Sequence, residues 1–221
     1  MIFIVTAENR ALFGSDVTEM HRQRKRVFVD HSGWSVPVVR DMEIDSYDRD
    51  DTIYLLAKAA PEAPVIASVR LLPTIKPHLM VDLFRDACGG SPPCGPSIWE
   101  ASRFCIAPEV RSHRARVRLV WDVVCGVIET SLLFGIDHVT FATHATLLSL
   151  VLDCGWDAAP LGPPLPNGDH EITAVAAAIT PDGLRNVRRR LGIDEPVTRF
   201  VTSTVSFAPL RSMSVLQRGL Q

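Results

Sequence analysis

The chain has 221 residues, with 23 Lys and Arg against 25 Asp and Glu and a formal net charge of −2 at pH 7. This length favours one domain, and a hydrophobic fraction of 47% is too high for a disordered chain. Since nucleic-acid binders usually carry a basic excess, we expect no nucleic-acid partner.

The cysteines and the apolar segments bear on the compartment. Five cysteines without a C-x-x-C pair are typical of a reduced, cytoplasmic protein without a structural metal. The apolar segment 117–136 contains Arg118, Asp122 and Glu129, so it reads as a buried helix and not as a membrane span. The apolar start, 1–5, is too short for the core of a signal peptide. We therefore expect no membrane partner.

The first predicted element in chain order is a helix that is capped by Ser15 or Asp16 and extends to about Asp30. Its apolar residues recur every three or four positions, and Arg24 falls on the same face as Phe28. A guanidinium on an apolar face either extends to water or pairs with carboxylates, since an unpaired buried charge is strongly destabilising.

An acidic connector over residues 41–51 follows this helix. Two strands are then predicted over 52–58 and 65–72, and the Pro-containing turn between them favours a hairpin. Alternation along the second strand places Arg70 on the face opposite Val69. Such a connector is usually a solvated turn, but here it also supplies possible partners for the arginines.

The second half of the chain alternates strands and helices. Predicted strands span 98–106, 138–143 and 171–179, and predicted helices span 78–86, 114–134, 145–153 and 181–191. A Pro-rich loop is predicted over 160–166. This alternation predicts an α/β (α+β) fold with a central twisted mixed sheet flanked by helices. We expect a single domain over 1–195 and a mobile C-terminal tail over 196–221.

Arginines and acids of the first half form a candidate ionic cluster that can hold a charged ligand in a defined orientation. Its predicted members are Arg24, Asp45, Asp48, Arg70, Glu100 and Arg103. Glu100 and Arg103 are three positions apart on one predicted strand, and strict alternation sends them to opposite faces. Both can reach one site only if a β-bulge lies between them or if one acts through its backbone.

Large aromatic side chains and a basic segment accompany the cluster. Trp34 follows the exit from the first helix, and it is either a core residue or a stacking wall for a cation or a purine. Phe28, Phe84 and Phe104 are core residues by default and could equally line the pocket.

The basic run 111–118 is either a solvated helix end or a docking patch for an acidic carrier protein or coenzyme A phosphates.

In their order and spacing, these residues resemble the signature of acyl-homoserine-lactone synthases, the LuxI-type autoinducer synthases of bacterial quorum sensing. The matching pattern is Arg24-x3-Phe28-x5-Trp34, Asp45-x2-Asp48, Arg70, Phe84 and Glu100-x2-Arg103. The resemblance covers most of residues 20–180. It implies the sheet of GNAT-like acetyltransferases.

The resemblance also implies a reaction. An acyl group passes from a thioester to the amine of S-adenosylmethionine, and the product closes to a lactone with release of methylthioadenosine. S-adenosylmethionine is then a substrate, and no cofactor is expected. The donor is acyl carrier protein or acyl-CoA, and the enzyme is a bacterial cytoplasmic monomer or weak dimer. A GNAT-type N-acyltransferase acting on a different amine and a non-catalytic ligand-binding module are the alternatives.

The resemblance assigns roles to individual residues. Glu100 is the first candidate for the base that deprotonates the amine, and Glu43 is the second. The predicted S-adenosylmethionine contacts are Arg24, Phe28, Trp34, Asp45, Asp48, Arg70, Arg103 and Phe104. The predicted acyl-chain contacts are Phe84, Phe141, Thr143, Leu147 and Trp156. No residue is expected to bind a metal.

Overall fold

A computed structural model describes residues 1–168 and 170–202. The strands are β1 (Ile2–Val5), β2 (Val38–Val39), β3 (Met42–Glu43), β4 (Ile53–Lys58), β5 (Val65–Pro73), β6 (Ile98–Ile106), β7 (His138–His144), β8 (Asp157–Pro160), β9 (Leu165–Asn167), β10 (His170–Ala178) and β11 (Thr198–Arg199). The helices are α1 (Gly14–Arg24), α2 (Leu79–Asp82), α3 (His113–Phe134), α4 (Ala145–Leu152) and α5 (Pro181–Leu191). A π-helical segment, Lys25–His31, extends α1.

Within the described residues, one mixed sheet has the order β11-β1-β4-β5-β6-β7-β10-β8, with β9 also paired to β10, and β2 and β3 form a separate hairpin. The β1–β11 and β6–β7 pairs are parallel, and the other pairs are antiparallel. The β6–β7 ladder covers only Ile98 to Glu100 of β6. Beyond Glu100 and Thr140 the two strands separate, and this opens a gap in the middle of the sheet.

Helices cover both faces of the sheet. Residues of α3 such as Val124 and Ile128 pack with Leu55 of β4 and Val139 of β7 in the main hydrophobic core. Side chains of α4 and α5 join the same core. On the opposite face Met20 of α1 packs in a smaller cluster with residues of β1 and β4. Among the described helices none has the length and apolarity needed to cross a bilayer.

The predicted fold class is confirmed, and so are most of the predicted elements. Strand β6 and helix α5 have the predicted bounds, and β4 and β5 form the predicted hairpin. The predicted helix cap is wrong, because α1 begins at Gly14 after a 3-10 turn and no side chain caps it. The segment 160–166 is not a simple loop, because Pro160 ends β8 and Leu165 begins β9.

Six strands lie where none was predicted, namely β1, β2, β3, β8, β9 and β11. Two of them, β1 and β11, lie near the two ends of the described chain. Strand β1 pairs with β4, and β11 adds to its other side. Strand β11 belongs to the segment predicted as a tail, 196–221, of which residues 203–221 lie outside the described residues. The division into a domain over 1–195 and a tail stays a prediction.

A buried carboxylate on α3 fastens β11 to the body of the protein. Glu129 accepts hydrogen bonds from the backbone N–H groups of Val197 (3.1 Å) and Thr198 (3.0 Å). The Thr198 hydroxyl (2.7 Å) and the Arg188 guanidinium of α5 (2.8 Å) also donate to it. Burial alone would raise the pKa of Glu129, but these donors outweigh burial and hold the pKa below its usual value.

We expect Glu129→Gln to lower the free energy of unfolding at pH 7 by about 2–4 kcal/mol, because a charged acceptor is lost while its buried donors remain. Urea unfolding followed by circular dichroism measures the loss. Glu109→Gln is the matched control, since the Glu109 side chain is 70% exposed, and it should change stability by less than about 0.5 kcal/mol. Equal stability of the two variants would contradict the role of Glu129.

Candidate functional site

Six charged side chains form a closed ionic network between α1, the connector and the sheet. They are Arg24, Glu43, Asp45, Asp48, Arg70 and Arg103, and each side chain is at most 8% exposed. Three positive and three negative charges balance, so the network as a whole carries no net charge. This balance is what lets so many charges be buried together.

Every pairing within the network is made by a guanidinium. Arg24 donates from Nε to Glu43 (2.5 Å) and from its two Nη atoms to the two oxygens of Asp48 (2.8 and 2.9 Å). Arg70 makes the same bidentate interaction with Asp45, donating from its two Nη atoms to the two carboxylate oxygens (2.6 and 2.8 Å). Burial would raise the pKa of Asp48, but Arg24 and Arg70 outweigh it and hold that pKa far below its usual range.

Arg103 closes the network by joining its two halves. Its Nε donates to Glu43 (3.1 Å) and its Nη2 donates to Asp45 (2.8 Å). Of the two alternatives that the sequence left open for Arg24, the structure has the pairing with buried carboxylates. One predicted member is wrong, since Glu43 and not Glu100 is the third acid of the network.

A β-bulge, one of the two arrangements that the spacing of Glu100 and Arg103 left open, is present in β6. The β5–β6 register shifts between Ser68↔Cys105 and Arg70↔Ser102, which leaves β6 with an extra residue. Arg103 lies in this bulge with φ of +53°, a left-handed conformation that costs a non-glycine residue about 1–3 kcal/mol. The bulge brings the Arg103 guanidinium to the face of the sheet that carries Arg70.

The exit from the first helix builds an aromatic wall beside Arg103. In the π-helical segment Phe28 is buried, and its carbonyl accepts from the N–H of Trp34 (2.8 Å). Gly33, with φ of +67°, makes the turn that brings Trp34 back over the helix. The two rings stack with centroids 4.8 Å apart, and the Arg103 guanidinium lies 5.7 Å from the Phe28 ring centroid.

A cavity of about 780 Å³ begins at this wall and passes through the gap between β6 and β7. On the α1 and α2 side we call it the polar chamber, which is lined by Phe28, Trp34, Leu79, Phe84, Glu100, Ser102 and Arg103. On the α3 and α4 side we call it the apolar chamber, which is lined chiefly by Phe104, Val120, Val124, Phe141, Thr143, Leu147, Val151 and Trp156. The gap in the sheet joins the two chambers.

Glu100 stands at this junction, where the β6–β7 ladder ends. The residue is 3% exposed, and its carboxylate accepts from the backbone N–H of Met80 at 2.8 Å. Burial raises the pKa of Glu100 to about 7, even though the Met80 N–H, Arg70 and Arg103 oppose the rise. A carboxylate with such a pKa can accept and release a proton near neutral pH.

The predicted site residues divide into two groups. Glu100, Arg103 and all the predicted aromatic, aliphatic and threonine contacts lie on the cavity wall. The predicted contacts Arg24, Asp45, Asp48 and Arg70 and the second base candidate Glu43 lie behind the wall, within the network.

Sequence reasoning also missed part of the wall. It did not single out Ser102, Leu79, His31 or Glu171, and all of them line the cavity. Ser102 could have been found from its parity with Glu100 on β6, because residues two positions apart share a face. In the described part of the chain, no group of three His, Cys, Asp or Glu side chains is arranged to hold a metal ion.

Comparisons with known proteins agree on one family. The model of the autoinducer synthase family matches residues 9–186. An acyl-homoserine-lactone synthase of Pseudomonas aeruginosa is 31% identical over 159 residues, which cover 71% of this chain and 79% of the relative. An isovaleryl-homoserine lactone synthase of Bradyrhizobium diazoefficiens is 35% identical over 167 residues, which cover 74% of this chain and 73% of the relative.

Solved structures give the same result for the whole fold. The CoA-dependent acyl-homoserine lactone synthase BjaI, solved with SAM and isopentyl-CoA, aligns with a TM-score of 0.82 and 28% identity over 91% of this chain and 93% of its own. The CoA-dependent synthase MesI aligns with a TM-score of 0.79 and 29% identity over 90% of this chain and 98% of its own. An acyl-CoA N-acyltransferase of Pseudomonas aeruginosa, at 13% identity, has a TM-score of 0.55, covers 80% of this chain and 98% of its own, and shows the shared fold alone.

The raised pKa of Glu100 predicts how stability depends on pH. The folded chain binds the proton more tightly than the unfolded chain, so stability conferred by protonated Glu100 is lost as pH rises from about 4 to about 8. As the pH rises over this interval, we therefore expect the free energy of unfolding of Glu100→Gln to increase by about 2–3 kcal/mol relative to that of the wild type. Urea unfolding at a series of pH values measures the difference, and parallel curves for the two proteins would contradict the raised pKa.

Proposed function

The chain belongs to the autoinducer synthase family, and we propose that it is an acyl-homoserine-lactone synthase. It transfers an acyl group from a thioester to the amine of S-adenosylmethionine and then closes the homoserine lactone. The observation that carries this proposal is the cavity that crosses the sheet, with Glu100 at the junction of its two chambers. A polar cationic substrate and an apolar acyl group can enter from opposite faces and meet at that carboxylate.

The polar chamber suits S-adenosylmethionine. Its sulfonium is a fixed cation, and the stacked pair of Phe28 and Trp34 offers aromatic faces to a cation or to the adenine. Trp34 is 40% exposed, so it is accessible to a ligand. Arg103 is the network residue on the cavity wall, and we assign it to the substrate carboxylate. Phe84 lies with Leu79 on this side, so we place it beside S-adenosylmethionine and not beside the acyl chain.

The apolar chamber suits the acyl chain. Phe141 and Trp156 stack with ring centroids 5.8 Å apart, and Leu147 lies beside them on the wall. Thr143 is buried and shares the strand face of Phe141, so its hydroxyl is the polar group available to a substituted acyl chain. Phe104 packs against the main core on the same side, and we therefore move it from the S-adenosylmethionine contacts to the acyl contacts.

The reaction has two steps. The amine, with an ordinary pKa near 8, must first be neutral, and Glu100 takes its proton directly or through a water molecule. The nitrogen attacks the thioester carbonyl, and backbone N–H groups beside the β6–β7 gap stabilise the oxyanion. The thioester carbon–sulfur bond then breaks, and the second proton of the nitrogen passes to the departing thiolate, which leaves as the thiol. The substrate carboxylate then attacks its own γ-carbon. The carbon–sulfur bond breaks, and methylthioadenosine leaves with the bonding electron pair.

The ionic network supports this chemistry from behind the wall. Both oxygens of Glu43 accept from arginines and the side chain is fully buried, so we assign the base to Glu100 and a positioning role to Glu43. Arg24, Asp45, Asp48 and Arg70 fix the position of Arg103 by the same pairings. S-adenosylmethionine is a substrate in this scheme, and no cofactor takes part.

The donor is an acyl thioester, and two carriers are compatible with the surface beside the apolar chamber. The similar synthases BjaI and MesI are CoA-dependent, which supports coenzyme A as the carrier. The exposed arginines 111, 114 and 116 near the start of α3 suit the phosphates of coenzyme A or an acidic acyl carrier protein. All five cysteines are free, which supports a reducing location such as the bacterial cytoplasm, and we propose a monomer or weak dimer.

We expect the purified protein, given S-adenosylmethionine and a mixed pool of acyl thioesters, to release lactone and methylthioadenosine in equal amounts, measured by mass spectrometry. Glu100→Gln should lower the rate about 10²–10⁴-fold, because it keeps the shape and removes the proton acceptor. Glu43→Gln is the comparison, and it should raise the KM for S-adenosylmethionine more than it lowers kcat.

Other products would lead to other functions. Acylated amine without lactone would indicate an N-acyltransferase of the GNAT type, and binding without turnover would indicate a ligand-binding module. An active Glu100→Gln beside an inactive, folded Glu43→Gln would move the base to Glu43.

Charge reversal at Arg114 and Arg116 tests the carrier. If the surface docks acyl carrier protein, the double Glu variant should raise the KM for that donor, and the effect should weaken with salt because exposed charges are screened over about 8 Å. The same acyl group on coenzyme A should be affected less. Arg189 and Arg190 of α5 are exposed and outside the cavity wall, so their reversal is the control. An equal loss with both donors would indicate a phosphate site instead of carrier docking.

A further inference from the structure

The acidic connector grips the segment that precedes and forms α2. Three side-chain contacts make this grip, which we call the connector clamp: Tyr47 Oη to Asp82 Oδ2 (2.8 Å), Arg49 Nη1 to the Pro77 carbonyl (2.8 Å) and Lys76 Nζ to Asp51 Oδ2 (2.8 Å). Lys76 and Asp82 mark the two ends of the gripped segment. The clamp therefore holds α2 from outside the cavity.

Helix α2 needs such support because it has only four residues, too few to be stable without external contacts. It nevertheless carries the one donor, among the described residues, that hydrogen-bonds to Glu100, the backbone N–H of Met80 at 2.8 Å. Leu79 of the same helix lies on the cavity wall. A small movement of α2 would therefore shift both the wall and the donor of the base.

Tyr47 is the member of the clamp that also touches the ionic network. Its backbone N–H donates to Asp45 Oδ1 at 2.9 Å, and the Arg70 guanidinium lies 5.6 Å from its ring centroid. Its hydroxyl donates to Asp82 at the end of α2. One residue, through its backbone and its side chain, thus joins the buried charges to the helix that holds the carboxylate of Glu100.

We propose that Tyr47 is a positioning residue that transmits the fixed geometry of the ionic network, through Asp82 and α2, to the carboxylate of Glu100. The proposal rests on the assignment of Glu100 as the base of the proposed function. Tyr47 does not line the cavity, so its effect on the reaction passes through Glu100.

The charges around Glu100 define what loss of the clamp would do. Arg70 and Arg103 lower its pKa and Asp82 raises it, while the thiol of Cys88 also feels the charge of Glu100. The Met80 N–H favours the ionised form. When α2 moves and this donor is misplaced, the pKa of Glu100 rises. Removing Asp82 itself would act in the opposite direction, because it would also remove a negative charge.

Tyr47→Phe is therefore the informative variant, since it keeps the ring against Arg70 and every charge in place. The experiment measures kcat/KM against pH for the full chain with S-adenosylmethionine and one acyl-CoA. We expect the acidic limb of the profile to move up by about 0.5–1 pH unit, the equivalent of one hydrogen bond. The KM for S-adenosylmethionine should change less than twofold, because the ionic network is intact.

Tyr54→Phe is the matched control. It loses a hydroxyl that donates to Asp48 in the ionic network at 2.9 Å, and it has no contact with α2 among those described. It should leave the acidic limb in place, whatever it does to the KM. An unmoved limb in folded, active Tyr47→Phe, or equal shifts in both variants, would overturn the proposal.

The pH profiles of the wild type and of Glu100→Gln distinguish a failure of this proposal from a failure of the base assignment on which it rests. If the wild type shows an acidic limb that Glu100→Gln abolishes, the base assignment holds and the Tyr47 result decides the clamp. If the wild type lacks that limb, or Glu100→Gln retains it, the base assignment fails and the clamp proposal falls with it.

Discussion

The structure depends on charge balance in a place that water does not reach. Arg24, Arg70 and Arg103 would each be too costly to bury alone, and so would the three acids that face them. Pairing works only if all six are present at the correct positions, because every acid is shared between two arginines. The network is therefore a rigid frame, and the acidic connector is ordered because its carboxylates belong to it.

An enzyme with two substrates needs access for both and fixed charged groups where they meet. The gap in the sheet relates to the first requirement and the ionic network to the second. The separation of β6 and β7 opens a passage between the faces of the sheet, so the two substrates need not compete for one entrance. Glu100 faces α2, and three residues later the bulge at Arg103 directs the guanidinium toward the ionic network. The cation that we propose for the substrate carboxylate and the carboxylate that we propose for the substrate amine are thus held on one strand, three positions apart.

Much of this was available from the sequence, because the signals were local. Helical spacing put Arg24 on the buried face of α1, and alternation put Arg70 opposite the core. The conflict between that alternation and the spacing of Glu100 and Arg103 left two alternatives, a bulge or a role for one backbone, and the structure has the bulge. The membership of Glu43 could not be read in the same way, because β3 has two residues and no usable periodicity.

Several features that sequence reasoning missed are long-range ones. Strand β11 exists because Glu129, 68 and 69 positions before its partners, accepts their N–H groups. The π-helical widening around Phe28 and the tie between Tyr47 and Asp82 likewise depend on neighbours that are brought together only by the fold. Which residues of the sequence signature line the cavity and which lie in the ionic network behind it also depends on the fold. The signature contains both kinds of residue and does not distinguish them.

A crystal structure of the chain with S-adenosylmethionine, in the absence of an acyl donor, would show whether the ionic network is a frame or a binding site. We expect that the six pairings of the network are unchanged, that the ligand carboxylate contacts Arg103, and that its amine faces Glu100. A ligand carboxylate that displaces Asp45 or Asp48 from Arg70 or Arg24 would contradict this expectation, because the network would then be the binding site itself and not the frame behind it.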